Sequence, residues 1–203
     1  MSARPLPGIA VLVSGGGRSL ENLAEAIARG AVPGKLALVL SSTPKAFALE
    51  RAQRLGIPAV VIDPERKLSP AEFSRDAFAA IESFDCEVAV MAGFLRLLPV
   101  PARWKGRVLN IHPALLPAFG GKGFYGDRVH RAVLESGVAE TGCTVHYVDD
   151  EYDHGPVLLQ RRIAVLSGDT LETLAARVFE EEKIALPEAL ARHLAARDLT
   201  SRD

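Results

Sequence analysis

Short apolar runs alternate along the chain with segments in which apolar residues return every three or four positions. Ile9–Val13 (IAVLV) is the first run, β-branched at most of its positions. A glycine-rich turn follows, then SLENLAEAIARG, where Leu20, Leu23 and Ile27 fall at helical spacing and Gly30 is a stop signal. Ser19 is placed to cap that helix. Leu36–Leu40 reads as a second strand, Lys45–Leu55 as a helix ending at Gly56, and Pro58–Ile62 as a third strand. Ser69-Pro70 suits the cap and first turn of a helix running to Phe84, with Phe73, Ala77, Phe78 and Ile81 as its apolar stripe. Glu87–Phe94 and Arg107–Pro113 are a fourth and a fifth strand, and Asp127–Ser136 is a helix. The stretch Thr144–Val165 differs, because two strand-like runs flank an acidic turn, which predicts an antiparallel pair. A last helix spans Thr170–His193, with a polar tail to Asp203.

Nearly all-apolar strands alternating with helices predict an α/β fold: a mostly parallel twisted sheet with helices on both faces and the antiparallel strand pair near the C-terminal end. No composition break divides the chain, so residues 1–203 read as a single domain. Sheets of this kind bind ligands beyond the carboxyl ends of their strands, which is where every polar motif of this chain falls.

Composition narrows the function classes. The 203 residues are 48% hydrophobic and 24% charged, with a formal net charge of −1. That balance gives no general attraction to nucleic acid or to an anionic membrane. No apolar run approaches the roughly 20 residues of a membrane span, and Ile9–Val13 is too short for a signal-peptide core. Cys86 and Cys143 have neither zinc-site spacing nor a disulfide framework, and read as buried free thiols in a reducing cytoplasm. His112, His130, His146 and His154 show no H-E-x-x-H spacing, so no metal is expected.

Ser14-Gly15-Gly16-Gly17-Arg18-Ser19 lies between the first strand and the first helix. Glycines let backbone N–H groups approach an oxyanion, and a helix N-terminus adds unpaired donors. No Lys follows as in a P-loop, and Leu20 stands where a dinucleotide fingerprint needs its third glycine. The turn therefore suits a monophosphate, with a tight unliganded turn as the plain alternative. Asn110 and His112 stand two apart at the end of the fifth strand, which puts both side chains on one face. The turn Asp149–Asp153 supplies a carboxylate, and a carboxylate beside His112 would raise its pKa toward neutrality or above. Amide, imidazole and carboxylate together suit acyl transfer without a covalent enzyme intermediate, and no G-x-S-x-G or placed Cys nucleophile is present.

Four segments in this order, SGGGRSLENL, AGFLRLLP, NIHPALLP and GCTVHYVDDEYDHGPVLLQ, resemble the folate-dependent phosphoribosylglycinamide formyltransferases from Ile9 to about Pro187. The resemblance implies a formyltransferase-like, Rossmann-like fold. It implies transfer of formyl from 10-formyltetrahydrofolate, a co-substrate, to the glycine amine of glycinamide ribonucleotide in purine synthesis, without a metal. It assigns catalysis to Asn110, which polarises the formyl oxygen, to His112 as general acid, and to Asp153, which orients and charges His112. Gly17, Arg18 and Ser19 match the substrate-phosphate loop, although the family carries Ser-Asn where this chain has Arg18-Ser19, and Glu182 matches an acid that contacts the substrate. Leu95, Arg96, Leu97 and Leu98 align with the pterin slot, Arg96 through its backbone, and Asp149, Asp150, Glu151 and Tyr152 close over the same ring. Pro70 stands where relatives often have a folate-tail arginine, leaving Arg66 and Lys67 as substitutes. Gly120–Gly126 reads as a flap that carries Lys122 toward the phosphate.

The rival readings are a formyltetrahydrofolate deformylase, which shares the three catalytic residues, and a phosphosugar-binding protein without catalysis. The first strand begins at Ile9, which leaves no room for the deformylase's N-terminal domain, and methionyl-tRNA formyltransferases carry a further C-terminal RNA-binding domain. The implied partners are small molecules, with no nucleic acid and no membrane, and a homodimer is left open.

Overall fold

The computed structural model describes residues 5–62 and 68–200, with side chains as far as residue 197. Seven strands form one sheet: β1 (Gly8–Val13), β2 (Lys35–Ser41), β3 (Ala59–Val61), β4 (Cys86–Ala92), β5 (Val108–His112), β6 (Glu140–Tyr147) and β7 (Val157–Ala164). Their order is β3-β2-β1-β4-β5-β6-β7. Pairings from β3 to β5 are parallel, and both β5–β6 and β6–β7 are antiparallel. The expected antiparallel pair is therefore present, and it joins the parallel sheet through an antiparallel edge of β5. Strand order reverses between β1 and β4, the crevice where such sheets take their ligands.

Alternation along β1 divides the core. Ile9, Val11 and Val13 point to one face, and Ala10 and Leu12 to the other. The first face packs helices α1 (Arg18–Ala28), α2 (Ala48–Arg54), α4 (Asp127–Ser136) and α5 (Leu171–Thr200), and the second packs α3 (Pro70–Ser83). Ser69 caps α3 with a full capping box, its Oγ accepting from Glu72 N–H and the Glu72 carboxylate accepting from Ser69 N–H.

Three local expectations are corrected. Gly17, not Ser19, is the N-cap of α1, and no side chain caps that helix. The chain enters α1 at a φ of 75°, and a Cβ at Gly17 would sit 2.6 Å from the Ala48 Cβ, so glycine is required twice over. Helix α2 starts at Ala48 instead of Lys45, because Lys45 and the residues before it are used in a turn closed by Ser41 and Thr43. Helix α5 does not stop at His193 but runs to Thr200. Arg66 and Lys67 lie outside the described residues.

Helix α5 also contains Pro187, whose missing N–H leaves the Lys183 carbonyl without its helical donor. The buried Asn22 of α1 supplies one, its Nδ2 donating to Lys183 O at 2.9 Å. This bond fixes α1 to α5 next to Glu182. Asn22→Leu leaves that carbonyl unpaired and should cost about 1–3 kcal/mol in urea unfolding. Asn22→Leu with Pro187→Ala should recover part of the loss, because alanine restores the helical N–H.

Candidate active site

The crevice holds a cavity of about 520 Å³ lined by the Gly15–Ser19 turn, the 91–98 segment, Asn110, His112, His130, the 121–126 loop, His146, the acidic turn at 148, 149 and 151–153, and Glu182. Ser14 fastens the first two walls together. Its N–H donates to Gly93 O at 3.0 Å, and its Oγ accepts from Leu95 N–H at 3.0 Å and lies 2.7 Å from Ser42 Oγ.

Asn110, His112 and Asp153 converge at the middle of this cavity. The antiparallel β5–β6 register sets Asn110 opposite His146 and His112 opposite Thr144. Asn110 Nδ2 donates to Asp153 Oδ1 at 3.1 Å and lies 3.0 Å from His146 Nε2. His146 Nδ1–H donates to Tyr147 O at 2.8 Å, which leaves Nε2 as the acceptor of the second Asn110 N–H. His112 Nδ1 is 3.5 Å from Asp153 Oδ2, and its Nε2–H donates to Phe119 O at 2.8 Å. Gly121 N–H donates to the other Asp153 oxygen at 3.0 Å. Phe119 and Asp153 hold φ values of 56° and 53°, a left-handed backbone that is costly for residues with a Cβ. Behind them, Thr144 Oγ1 donates to Ala114 O at 2.7 Å, and Gln160 Nε2 donates to Leu116 O at 2.9 Å, fixing the chain that leaves His112.

The other sequence-selected residues are distributed around this centre. Gly17, Arg18, Ser19 and Glu182 line one end, where the Arg18 guanidinium lies 4.0 Å from the Phe179 ring centroid. Leu95, Arg96, Leu97, Leu98, Asp149, Glu151 and Tyr152 line the other. The Arg96 side chain is turned outward, lying over Phe73 and donating to Leu68 O at 3.1 Å, so only its backbone is left for the cavity. Asp150 does not line the cavity, and its carboxylate accepts from Val100 N–H at 3.2 Å. Asp149 is tied into its turn by Glu151 N–H at 2.9 Å and His154 at 2.7 Å. Lys122, Phe124 and Tyr125 line the cavity from the loop.

Residues 8–190 match the family described as formyl transferase. The chain belongs to the formyl transferase family. Among curated formyl transferase relatives, it is 42% identical over 184 residues to the trifunctional purine biosynthetic protein adenosine-3 of Gallus gallus, covering 90% of this chain and 18% of that protein. It is 41% identical over 177 residues to the chloroplastic phosphoribosylglycinamide formyltransferase of Vigna unguiculata, covering 86% of this chain and 56% of that one. The chain thus spans less than two thirds of either relative's own length. The solved phosphoribosylglycinamide formyltransferase of Coxiella burnetii superposes with a TM-score of 0.86 at 37% identity, covering 96% of this chain and 89% of that chain. No helix of the described residues is long and apolar enough to cross a membrane. Among the described residues, no group of three or more His, Cys, Asp and Glu side chains is placed to hold a metal ion.

The electrostatics of this formyl transferase centre differ from the sequence expectation at one point. Asp153 does draw the His112 pKa upward, but burial outweighs it, and the net position is below the usual 6.5. His112 is therefore neutral near pH 7, with its proton on Nε2 facing the Phe119 carbonyl. Burial alone would raise the Asp153 carboxyl, yet His146, the His112 ring and Gly121 N–H together hold it below its ordinary 3.8. Glu182 is pushed up to about 7 by burial, against the pull of Arg18. The two thiols are no nucleophiles: burial pushes Cys86 up to about 11 and Cys143 up to about 12.

Sequence reasoning missed His146 and the Phe119–Gly121 backbone. The signal for His146 was available, as a polar residue inside the apolar run of GCTVHYV. Nothing in the sequence marks the backbone contacts of the loop. Because the native state resists charging His112 while the unfolded chain accepts the proton near 6.5, this group supports stability above that pH, and its support is lost as pH falls below it. Asp153→Asn removes the one group that draws the ring up most, and an NMR titration of His112 should show its pKa falling further.

Proposed function

We propose that the protein transfers the formyl group of 10-formyltetrahydrofolate to the glycine amine of glycinamide ribonucleotide. The observation that carries this reading is the meeting of Asn110, His112 and Asp153 in one cavity with a glycine-rich helix N-terminus and a leucine-lined slot, with no Ser, Thr or Cys side chain hydrogen-bonded to the three among the described residues. The substrate's own amine is then the attacking group. Gly17, Arg18 and Ser19 receive the phosphate, with backbone N–H groups and the helix end favouring the anion. Glu182, beside them, takes a ribose hydroxyl. The folate ring occupies the other end, between Leu95, Leu97 and Leu98 and the turn of Asp149, Glu151 and Tyr152, with backbone groups around Arg96 reading its edge.

Chemistry follows from the exchange of partners that substrates bring. Both N–H groups of Asn110 are engaged on Asp153 and His146, so one is released to the formyl oxygen as charge develops there. Displacing the Phe119 carbonyl from Nε2 lets the His112 proton face Asp153 through Nδ1, a geometry in which the 3.5 Å separation closes to a hydrogen bond. Nε2 is then free. Amine attack forms the new C–N bond, His112 takes the proton of the resulting ammonium, and the charged ring is stabilised by Asp153. The same proton goes to N10 of the folate as the old C–N bond breaks, so the protein ends as it began.

His112→Ala should lower kcat by roughly 10²-fold or more while substrate KM values stay near those of the unaltered protein. Steady-state assay with and without the ribotide checks the reaction itself. Formyl transfer that requires the amine is the expected result, and formate release that ignores it would assign a hydrolase.

A further inference from the structure

His130 is the one buried imidazole at the cavity to which no protein group gives a task. It lies in the first turn of α4 with 5% of its surface exposed, between Val129 and the helix face that carries Val133. Its Nδ1 is sealed from solvent and has no hydrogen-bond partner. Nε2 has no partner among the described residues either, but it is not sealed, and the ring lines the cavity. Burial, foremost, holds its pKa below 6.5; Asp127 draws it up, and His112 and Arg18 push it down. The ring is thus neutral near pH 7 and carries a single N–H. A buried N–H without an acceptor is rarer and costlier than an unpaired lone pair, so the proton belongs on Nε2, on the cavity side.

The packing of α4 fixes which part of the cavity this donor serves. That helix lies against α5, which carries Phe179 and Glu182 into the cavity beside Arg18. Among the charges around His130, Arg18 and His112 oppose a proton on the ring and Asp127 favours one. Neutrality matters here, because a cationic ring at this position would oppose charging of His112.

We infer that His130 is a substrate-positioning residue, whose Nε2–H donates to a non-reacting oxygen of the phosphorylated amine between its phosphate and its reacting nitrogen. The inference rests on the proposed reaction and goes beyond it in naming a specificity contact on α4. The test is steady-state kinetics of H130A and H130Q with glycinamide ribonucleotide and 10-formyltetrahydrofolate. H130A should raise the ribotide KM about tenfold or more, the worth of one lost hydrogen bond, with a much smaller fall in kcat and the formyl-donor KM unmoved. H130Q, whose side-chain amide reaches the place of Nε2, should recover most of the lost ribotide KM. An unchanged ribotide KM in H130A, or equal losses in H130A and H130Q, overturns the inference. If H130A fails to fold, H130L, which fills the space without a donor, takes its place in the same comparison. Failure of the unaltered protein to transfer formyl sinks the proposed reaction, whereas transfer with an unmoved ribotide KM in H130A sinks this inference alone.

Discussion

A nearly buried carboxylate has to be paired from all sides or it takes up a proton. Asp153, with 10% of its side chain exposed, is the charge around which this site is organised. It accepts from separate parts of the chain, Asn110 Nδ2 on β5 and Gly121 N–H in the loop that follows β5, and the His112 and His146 rings lie beside it at 3.5 and 3.7 Å. Each of those partners needs the antiparallel β5–β6 pairing or the loop behind it. That pairing sets His146 opposite Asn110 and brings the chain leaving β6 into the acidic turn beside the start of β5, where Val148 N–H donates to Val108 O at 2.9 Å. The reversal of strand direction at β5–β6 thus gathers Asn110, His112, His146 and Asp153 at one place, where the parallel part of the sheet ends.

How much of this could be read in advance depended on the range of the interaction. The five parallel strands, α4 to the residue, and the Ser69-Pro70 start of α3 follow from local periodicity and capping chemistry, which the sequence carries directly. Asn110 and His112 stood out because two polar groups break an apolar strand at its end. Other features depend on partners far away in sequence. The cap of α1 is set by the approach of Ala48 to Gly17. The pKa of His112 is set by how deeply the loop buries it. The continuity of α5 through Pro187 depends on Asn22, and Asp150 faces Val100 instead of the cavity. None of these can be seen in a window of ten residues.

The two ends of the cavity are built on different terms. At the anion end, charge is held loosely: Arg18 rests on the Phe179 ring and has no carboxylate partner among the described residues. A guanidinium stacked this way keeps its hydrogen-bond donors free at its edge. At the centre, the Asn110 and His112 N–H groups are already engaged, and the proposed reaction depends on exchanging their partners. The loop supplies backbone partners, with the Phe119 carbonyl on His112 and the Gly121 N–H on Asp153. That arrangement keeps the buried polar groups satisfied before any ligand arrives.

The contact between Asp150 and Val100 carries a mechanical implication. It couples the acidic turn to the chain that follows Leu95–Leu98, so both sides of the proposed pterin slot travel as one jaw. Such a gap cannot be pried wider by shifting one side alone. The opposite rim is built from backbone of another kind, since Gly121, Gly123 and Gly126 all line the cavity at positive φ, where any side chain would bring strain.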